Sequence, residues 1–161
     1  MKPLFGTVRL GSEGATPEDK GVAFCRWFDD IVAVEQPYAV CVESSMDPAV
    51  MLRVGNGSKG LRLALGLNYL ACTYAQMKDI TLIRQVNVDD HRRHFLGRAR
   101  FKGGSDEAKR SCVARCHQLG WKVPDNNAAD ACAIWDYACA VWAPRTSAQQ
   151  AIDRMAAGVR F

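Results

Sequence analysis

The sequence lacks the features that mark secreted, membrane-spanning and repetitive proteins. It has no internal repeat and no low-complexity tract, and Met1–Leu10 contains no apolar core after a basic start, so we expect no signal peptide. Its most apolar stretch, Leu61–Met77, is short for a bilayer span and contains polar residues such as Asn68 and Gln76, which favours a buried helix. No linker divides the 161 residues, a length that suits one domain with a single core. We therefore predict one soluble domain over residues 1–161.

Cysteine is frequent, but its spacing gives no sign of pairing. The seven cysteines are odd in number, lie in apolar surroundings and include no CxxC pair. This pattern argues against a disulfide framework and favours small buried side chains in a reducing compartment. Cys112, Cys116 and His117 could share a helix face as zinc ligands, but no fourth ligand follows at a suitable spacing. The apolar interpretation is therefore preferred.

Charge is distributed unevenly along the chain, whose net charge is +4. Between Lys78 and Lys122, eleven lysines and arginines stand against five acids, a balance of +6, whereas the remainder sums to −2. A basic segment beside a more acidic remainder indicates an anionic partner, and nucleic acid is the first candidate. Within this segment, residues 91–104 interleave cations with phenylalanines and glycines, which suits phosphate contacts and base stacking. An ordinary solvated loop explains the same stretch equally well.

Hydrophobic periodicity alternates between strand and helix, which predicts an α/β domain with parallel pairing. The expected strands are Phe5–Leu10, Tyr38–Glu43 and Ile80–Val86. A first helix should begin at the N-cap Thr16, and its apolar face consists of Phe24, Trp27, Phe28 and Ile31. The remaining elements are a Gly-rich loop at Val54–Lys59, helices at Leu61–Met77, Asp106–Leu119 and Asn126–Trp142, and a weakly helical surface tail at Arg145–Arg160.

Two acids stand where ligand sites form in such folds. Glu43 ends an apolar strand, and sites in open α/β sheets lie beyond the carboxyl ends of strands. Asp130 lies a full turn inside the last long helix, and Asn127 faces the same side. A buried acid needs a partner, and a metal ion is the natural one; an exposed loop position is the plain alternative for Glu43. Asp125 or Asn126 should cap the helix, but capping does not explain Asp130.

Five segments stand in an order that is more specific than any one of them. Asp125–Ala131 opens the last helix with Asn127 and Asp130 three residues apart, Cys116–Trp121 precedes it, and Lys109 lies seven residues before Cys116. Further upstream are Val86–Gly97 and the strand Pro37–Glu43. Together they resemble the RuvC-like Holliday-junction resolvases of the phage type, including their Asp/Asn/His-x-x-Asp-Ala motif and the Cys-x-x-x-Gly-Trp stretch before it. The resemblance covers about residues 6–141 and implies an RNase H-like mixed sheet flanked by helices, with residues 144–161 as a tail.

The resemblance also implies a function, a magnesium-dependent endonuclease that cuts branched DNA as a homodimer in the cytoplasm of a bacterial or phage-infected cell. Glu43 and Asp130 would hold Mg²⁺, with Mn²⁺ as an alternative, and Asn127 would be a weaker ligand or orient a water. Asp125 is a further acid near this metal site, and Lys109 would contact phosphate or stabilise developing charge. The residues that would bind the DNA backbone are Arg92, Arg93, Arg98, Arg100, Lys102 and Lys109. The apolar helix Leu61–Met77 is expected to pack against both the sheet and a second subunit.

The chain departs from the family at its start. The family begins with a central strand that carries an aspartate, whereas Met1–Arg9 resembles the family's third strand. Without the central strand a metal ligand is lost and strand edges inside the sheet stay unpaired; Glu13, Glu18 and Asp19 fall in a turn and a helix start and do not replace it. We expect that the sequence begins at an internal methionine. A decayed prophage remnant, a protein that binds DNA without cutting it, and a basic domain for another anion are the alternatives.

Overall fold

A computed structural model describes residues 3–44 and 58–143, and the structural statements below concern those residues. They form five helices and two strands. The elements are α1 (Pro17–Glu35), β1 (Ala39–Glu43), α2 (Ser58–Met77), β2 (Leu82–Val86), α3 (Val88–Leu96), α4 (Gly104–Gln118) and α5 (Asn126–Trp142). Two predicted segments fall partly or wholly outside the described residues. They are residues 54–57 of the loop predicted at 54–59 and the whole of the tail predicted at 145–160.

The two described strands pair in parallel, which confirms the α/β class. Ala39 lies opposite Leu82 and Glu43 opposite Val86, and the Ser44 amide extends the ladder by donating to the Val86 carbonyl at 2.8 Å. Parallel neighbours need a long crossover, and α2 lies on that connection and packs on both strands. The carboxyl ends of β1 and β2 therefore meet at one edge of the sheet.

The first helix begins where the sequence predicts. Thr16 caps α1 by accepting from the Asp19 amide at 3.1 Å, the Asp19 carboxylate accepts from the Thr16 amide, and Pro17 occupies the first turn. Phe28 is buried, and its ring meets that of Tyr74 on α2 edge-on, with centroids 5.9 Å apart. With Ala75 and Ile80 they form a first core cluster between α1, α2 and the sheet.

A second core cluster holds α3, α4 and α5 together, and cysteines supply much of it. Its buried members are Phe95, Cys112, Cys116, Trp121, Val123, Ala128, Ala129, Cys132 and Ala133. All seven cysteines are free, as expected from their odd count. Burial raises the pKa of Cys132 to about 12, so this thiol stays protonated. Because Cys112 and Cys116 face the Ala129 carbonyl while His117 is exposed, the zinc alternative has no support.

Two elements differ from the sequence prediction. The strand expected at Phe5–Leu10 is wrong, because these residues pair with no described strand; Phe5 packs on the second core cluster instead. Helix α3 was not predicted. Its inner face is Val88, His91 and Phe95, and a histidine inside a strongly charged stretch conceals that short apolar pattern.

Helix α2 is less enclosed than its composition suggests. Ala71 and Ala75 are buried, but Tyr69 and Met77 are each 71 % exposed. One face therefore packs on α1 and the sheet while the other is open to solvent, and its contact with a second subunit stays a prediction. None of the described helices is long and apolar enough to cross a membrane.

Asp29 links α1 to the end of α2 and gives a test of this packing. Its carboxylate lies 2.6 Å from Lys78 Nζ and accepts from the Tyr74 hydroxyl, and the bonds from Lys78 and then Tyr74 hold the pKa of Asp29 below its ordinary value of 3.8. A lowered pKa in the fold contributes stability above the unfolded-state pKa, and that contribution is lost as the pH falls through the folded-state pKa. Asp29→Asn should therefore lower the urea midpoint at pH 7, with the difference from wild type shrinking below about pH 4. Asp30→Asn, an exposed neighbour, is the control, and a pH-independent difference would contradict the ion-pair explanation.

Candidate active site

Glu43 is the last residue of β1 and stands at the carboxyl edge of the sheet. Its backbone is fixed by the β2 partner Val86 and by Asn68 on α2, whose side chain donates to the Glu43 carbonyl at 2.7 Å. The side chain is 43 % exposed. A fixed backbone with a half-open carboxylate is the arrangement expected of a ligand site at a strand end.

Asp130 lies one turn inside α5 and is half-buried. Helix α5 packs on α4, α3 and β1, and the alanines and cysteines of the second core cluster permit this close approach. The Asp130 Oδ1 atom is buried and accepts no hydrogen bond from a described residue, although the Cys112 thiol lies beside this carboxylate and helps to lower its pKa. An unsatisfied buried carboxylate oxygen is costly, so a ligand that satisfies it would stabilise this site.

Glu43 and Asp130 are brought together although 86 residues separate them in the chain. Burial is the first cause that raises the pKa of Asp130, and the negative charge of Glu43 is the second. The sequence predicted both acids at one site, and the structure places them close enough for this electrostatic coupling. The negative charge of Glu43 disfavours the charged form of Asp130, and a cation beside the two carboxylates would offset that repulsion.

Helix α3 adds two residues to this pair. His91 is fully buried, and its Nε2 lies 3.4 Å from Glu43 Oε2. Arg92, expected on the DNA surface, is half-buried, and its charge opposes the rise in the Asp130 pKa that burial and Glu43 cause. Sequence reasoning missed His91 at the site because its position in the apolar stripe between Val88 and Phe95 was not recognised.

The other predicted site residues are placed differently. Asp125 caps α5 by accepting from the Ala128 amide at 2.8 Å and also accepts from Thr7 Oγ1 at 2.6 Å. Hydrogen bonds from Thr7 and from the Ala128 amide hold its pKa below the ordinary value, so its contacts are those of a cap. Asn127 is exposed one turn before Asp130, and Lys109 is half-buried one turn before Cys112. Among the described contacts, neither is bonded to Glu43 or Asp130.

The predicted basic surface divides into separate pieces. Arg93 pairs with Asp90 at 3.3 Å on the outside of α3, while Arg100 and Lys102 are exposed in the loop that follows. Arg98 lies 4.5 Å over the Phe101 ring and 3.6 Å from Glu107. A groove of about 530 Å³ opens beside it, and its lining includes His94, Arg98, Phe101, Ser111, Arg115 and Gln118. Ser111, Arg115 and Gln118 line the α4 side of this groove and were not among the predicted site residues.

The donor set allows a test of whether a magnesium ion suits the site. Among the described residues, no group of three or more histidine, cysteine, aspartate or glutamate side chains is arranged so that it could hold a metal ion. Magnesium, however, is commonly held by one or two carboxylates, with waters and substrate phosphates completing its shell. Glu43 and Asp130, with a buried oxygen that lacks a partner, fit an ion held in that way.

Comparison of the chain with protein-family models, with curated proteins and with solved structures gave no match.

The contacts of Asp125 predict a structural effect on stability. Asp125→Ala should lower the urea midpoint, because the Ala128 amide and Thr7 lose their acceptor. Asp125→Asn should keep most of the stability, since asparagine caps helices about as well as aspartate. Equilibrium unfolding of both variants measures this, with Asp106→Asn as an exposed control. An asparagine variant as unstable as the alanine variant would contradict the cap.

Proposed function

We propose that the chain is an RNase H-like nuclease domain that cuts branched DNA with Mg²⁺ or Mn²⁺, as the resemblance to RuvC-like resolvases implies. The observation that carries the proposal is the convergence of Glu43, at the end of a parallel strand, with Asp130, inside the last described helix. The parallel β1–β2 pair with its helical crossover supports the same assignment. So does the packing of α5 against β1.

Each residue has a distinct task in this proposal. Glu43 and Asp130 hold the cation, and Asn127 orients a water at the exposed side of α5. A bound cation supplies an activated water and stabilises the leaving oxygen of the phosphodiester. Arg92, whose charge opposes the rise in the Asp130 pKa, contacts a phosphate beside the cation, and Lys109 contacts the phosphate backbone from α4.

The basic surface around Arg98 supports a DNA partner. The exposed cations of the loop after α3 and the groove between α3 and α4 lie in one continuous stretch of chain and share Arg98. Arginine and phenylalanine side chains that stack on each other suit both phosphates and unpaired bases. A branched junction presents both of these groups.

Loss of either carboxylate should abolish cleavage. Glu43→Gln and Asp130→Asn keep size and remove the charge that holds the cation, so the rate on a four-way DNA junction in Mg²⁺ or Mn²⁺ should fall about 100-fold or more. Single-turnover cleavage on gels measures the rate, and circular dichroism checks folding. Asp106→Asn should cleave as the wild type does. Variants that cleave at wild-type rate would remove the basis of the proposal.

A second candidate is a protein that binds DNA without cutting it. It is favoured by the donor set, because no third described acid, cysteine or histidine completes a metal-binding group, and because His91 and Arg92 lie beside the two carboxylates. This candidate predicts salt-sensitive junction binding with no cleavage in any divalent metal. The same wild-type cleavage assay therefore separates the two functions.

The exposed cations give a test that applies to both candidates. Arg98→Gln, Arg100→Gln and Lys102→Gln should each weaken junction binding and reduce the slope of log affinity against log salt concentration by about one. Fluorescence anisotropy between about 50 and 200 mM salt measures the slope. Arg26→Gln on α1 is the matched control and should leave the slope unchanged. Equal slopes for all four variants would rule out these exposed cations as the DNA-binding surface.

A further inference from the structure

His91 is an unusual residue to find wholly enclosed. Its exposed fraction is 0 %, and neither Nδ1 nor Nε2 has a hydrogen-bond partner among the described residues. An imidazole always carries at least one N–H group, and burying such a donor without a partner is unfavourable. An apolar side chain would fill this place in α3 at lower cost, so His91 is not explained by packing alone.

The imidazole has one polar neighbour of the right kind. Its Nε2 lies 3.4 Å from Glu43 Oε2, near enough for an ion pair but not aligned as a hydrogen bond. The third buried polar atom without a partner is Asp130 Oδ1, on the other carboxylate of the site. The three buried side-chain nitrogen and oxygen atoms without a partner among the described residues thus all belong to His91 and Asp130, the residues that accompany Glu43.

The ring is also held more firmly than the carboxylate it faces. Helix α3 is anchored one turn later by Phe95, which is buried and stacks on Trp121 with centroids 6.0 Å apart. Glu43 has a fixed backbone, but its side chain is 43 % exposed and can rotate about three bonds. A rigid donor beside a mobile acceptor sets the orientation of the acceptor.

We propose that His91 is a positioning residue that donates through Nε2 to Glu43 and holds its carboxylate in the orientation that binds the divalent cation. The inference rests on the proposed function and adds a residue to it. Hydrogen bonds at active sites are often long or poorly aligned before the ligand binds and tighten afterwards, which accounts for the 3.4 Å separation. Residues that orient metal ligands in this way change metal affinity about 10- to 100-fold when they are replaced.

The test is Mn²⁺ binding to the full chain without DNA, measured by electron paramagnetic resonance. His91→Leu should weaken Mn²⁺ binding about 10- to 100-fold and leave the urea midpoint unchanged or higher, because it removes unsatisfied buried donors. His91→Gln keeps an N–H group near the position of Nε2 and should recover much of the affinity. His117→Leu, on the exposed side of α4, is the matched control and should bind Mn²⁺ as the wild type does.

Two results would overturn the inference alone, and a third would overturn it together with the proposed metal site. One is unchanged Mn²⁺ affinity in His91→Leu when Glu43→Gln and Asp130→Asn do weaken binding; the proposed function would then stand without this role for His91. The other is a lower urea midpoint in His91→Leu together with a Mn²⁺ affinity that is reduced as much in His91→Gln as in His91→Leu. These two findings together would make His91 a structural residue. If Glu43→Gln and Asp130→Asn leave Mn²⁺ binding unchanged, the proposed metal site fails and His91 loses its role with it.

Discussion

The close contact between α4 and α5 is the constraint on which the candidate site depends. Cys112 donates to the Ala129 carbonyl at 3.3 Å, and Cys116, Ala129 and Ala133 are fully buried between the helices. Only small side chains allow such an approach. Asp130 follows Ala129 directly, so the packing that buries the alanine also delivers the carboxylate to the edge where β1 ends. A larger residue at Ala129 would push α5 outward and separate Asp130 from Glu43.

The second constraint is the register of the two strands. Glu43 pairs with Val86, the last residue of β2, and α3 begins two residues later at Val88. The strand pairing therefore places the start of α3 beside the end of β1. His91 lies against Glu43, and the charge of Arg92 acts on Asp130, because only Asn87 separates β2 from their helix. The positive charge that opposes the rise in the Asp130 pKa is thus supplied by the element next in sequence.

Sequence reasoning succeeded where one physical signal dominates. The Thr16 cap with Pro17 and Asp19, the apolar run into Glu43, and the acid at Asp130 are each decided by local chemistry. It failed where a signal depends on distant partners. Phe5–Leu10 alternates like a strand but pairs with no described strand, and α3 hides its apolar stripe because His91 stands where a hydrophobic residue is expected. Arg92 could not be separated from its exposed neighbours without knowing which face of α3 is buried.

Two polar clusters differ in whether their polar side-chain atoms have hydrogen-bond partners within the fold. At Asp29, the carboxylate is fully engaged by Lys78 and Tyr74, and such a cluster needs no further ligand. At Glu43, the neighbouring His91 nitrogens and Asp130 Oδ1 are buried without hydrogen bonds among the described residues. Both clusters join a helix to its neighbours, so cohesion alone does not explain the difference. A site that stays unsatisfied in the fold keeps its polar atoms available for a group that binds later, and this is the physical reason for assigning function to the second cluster.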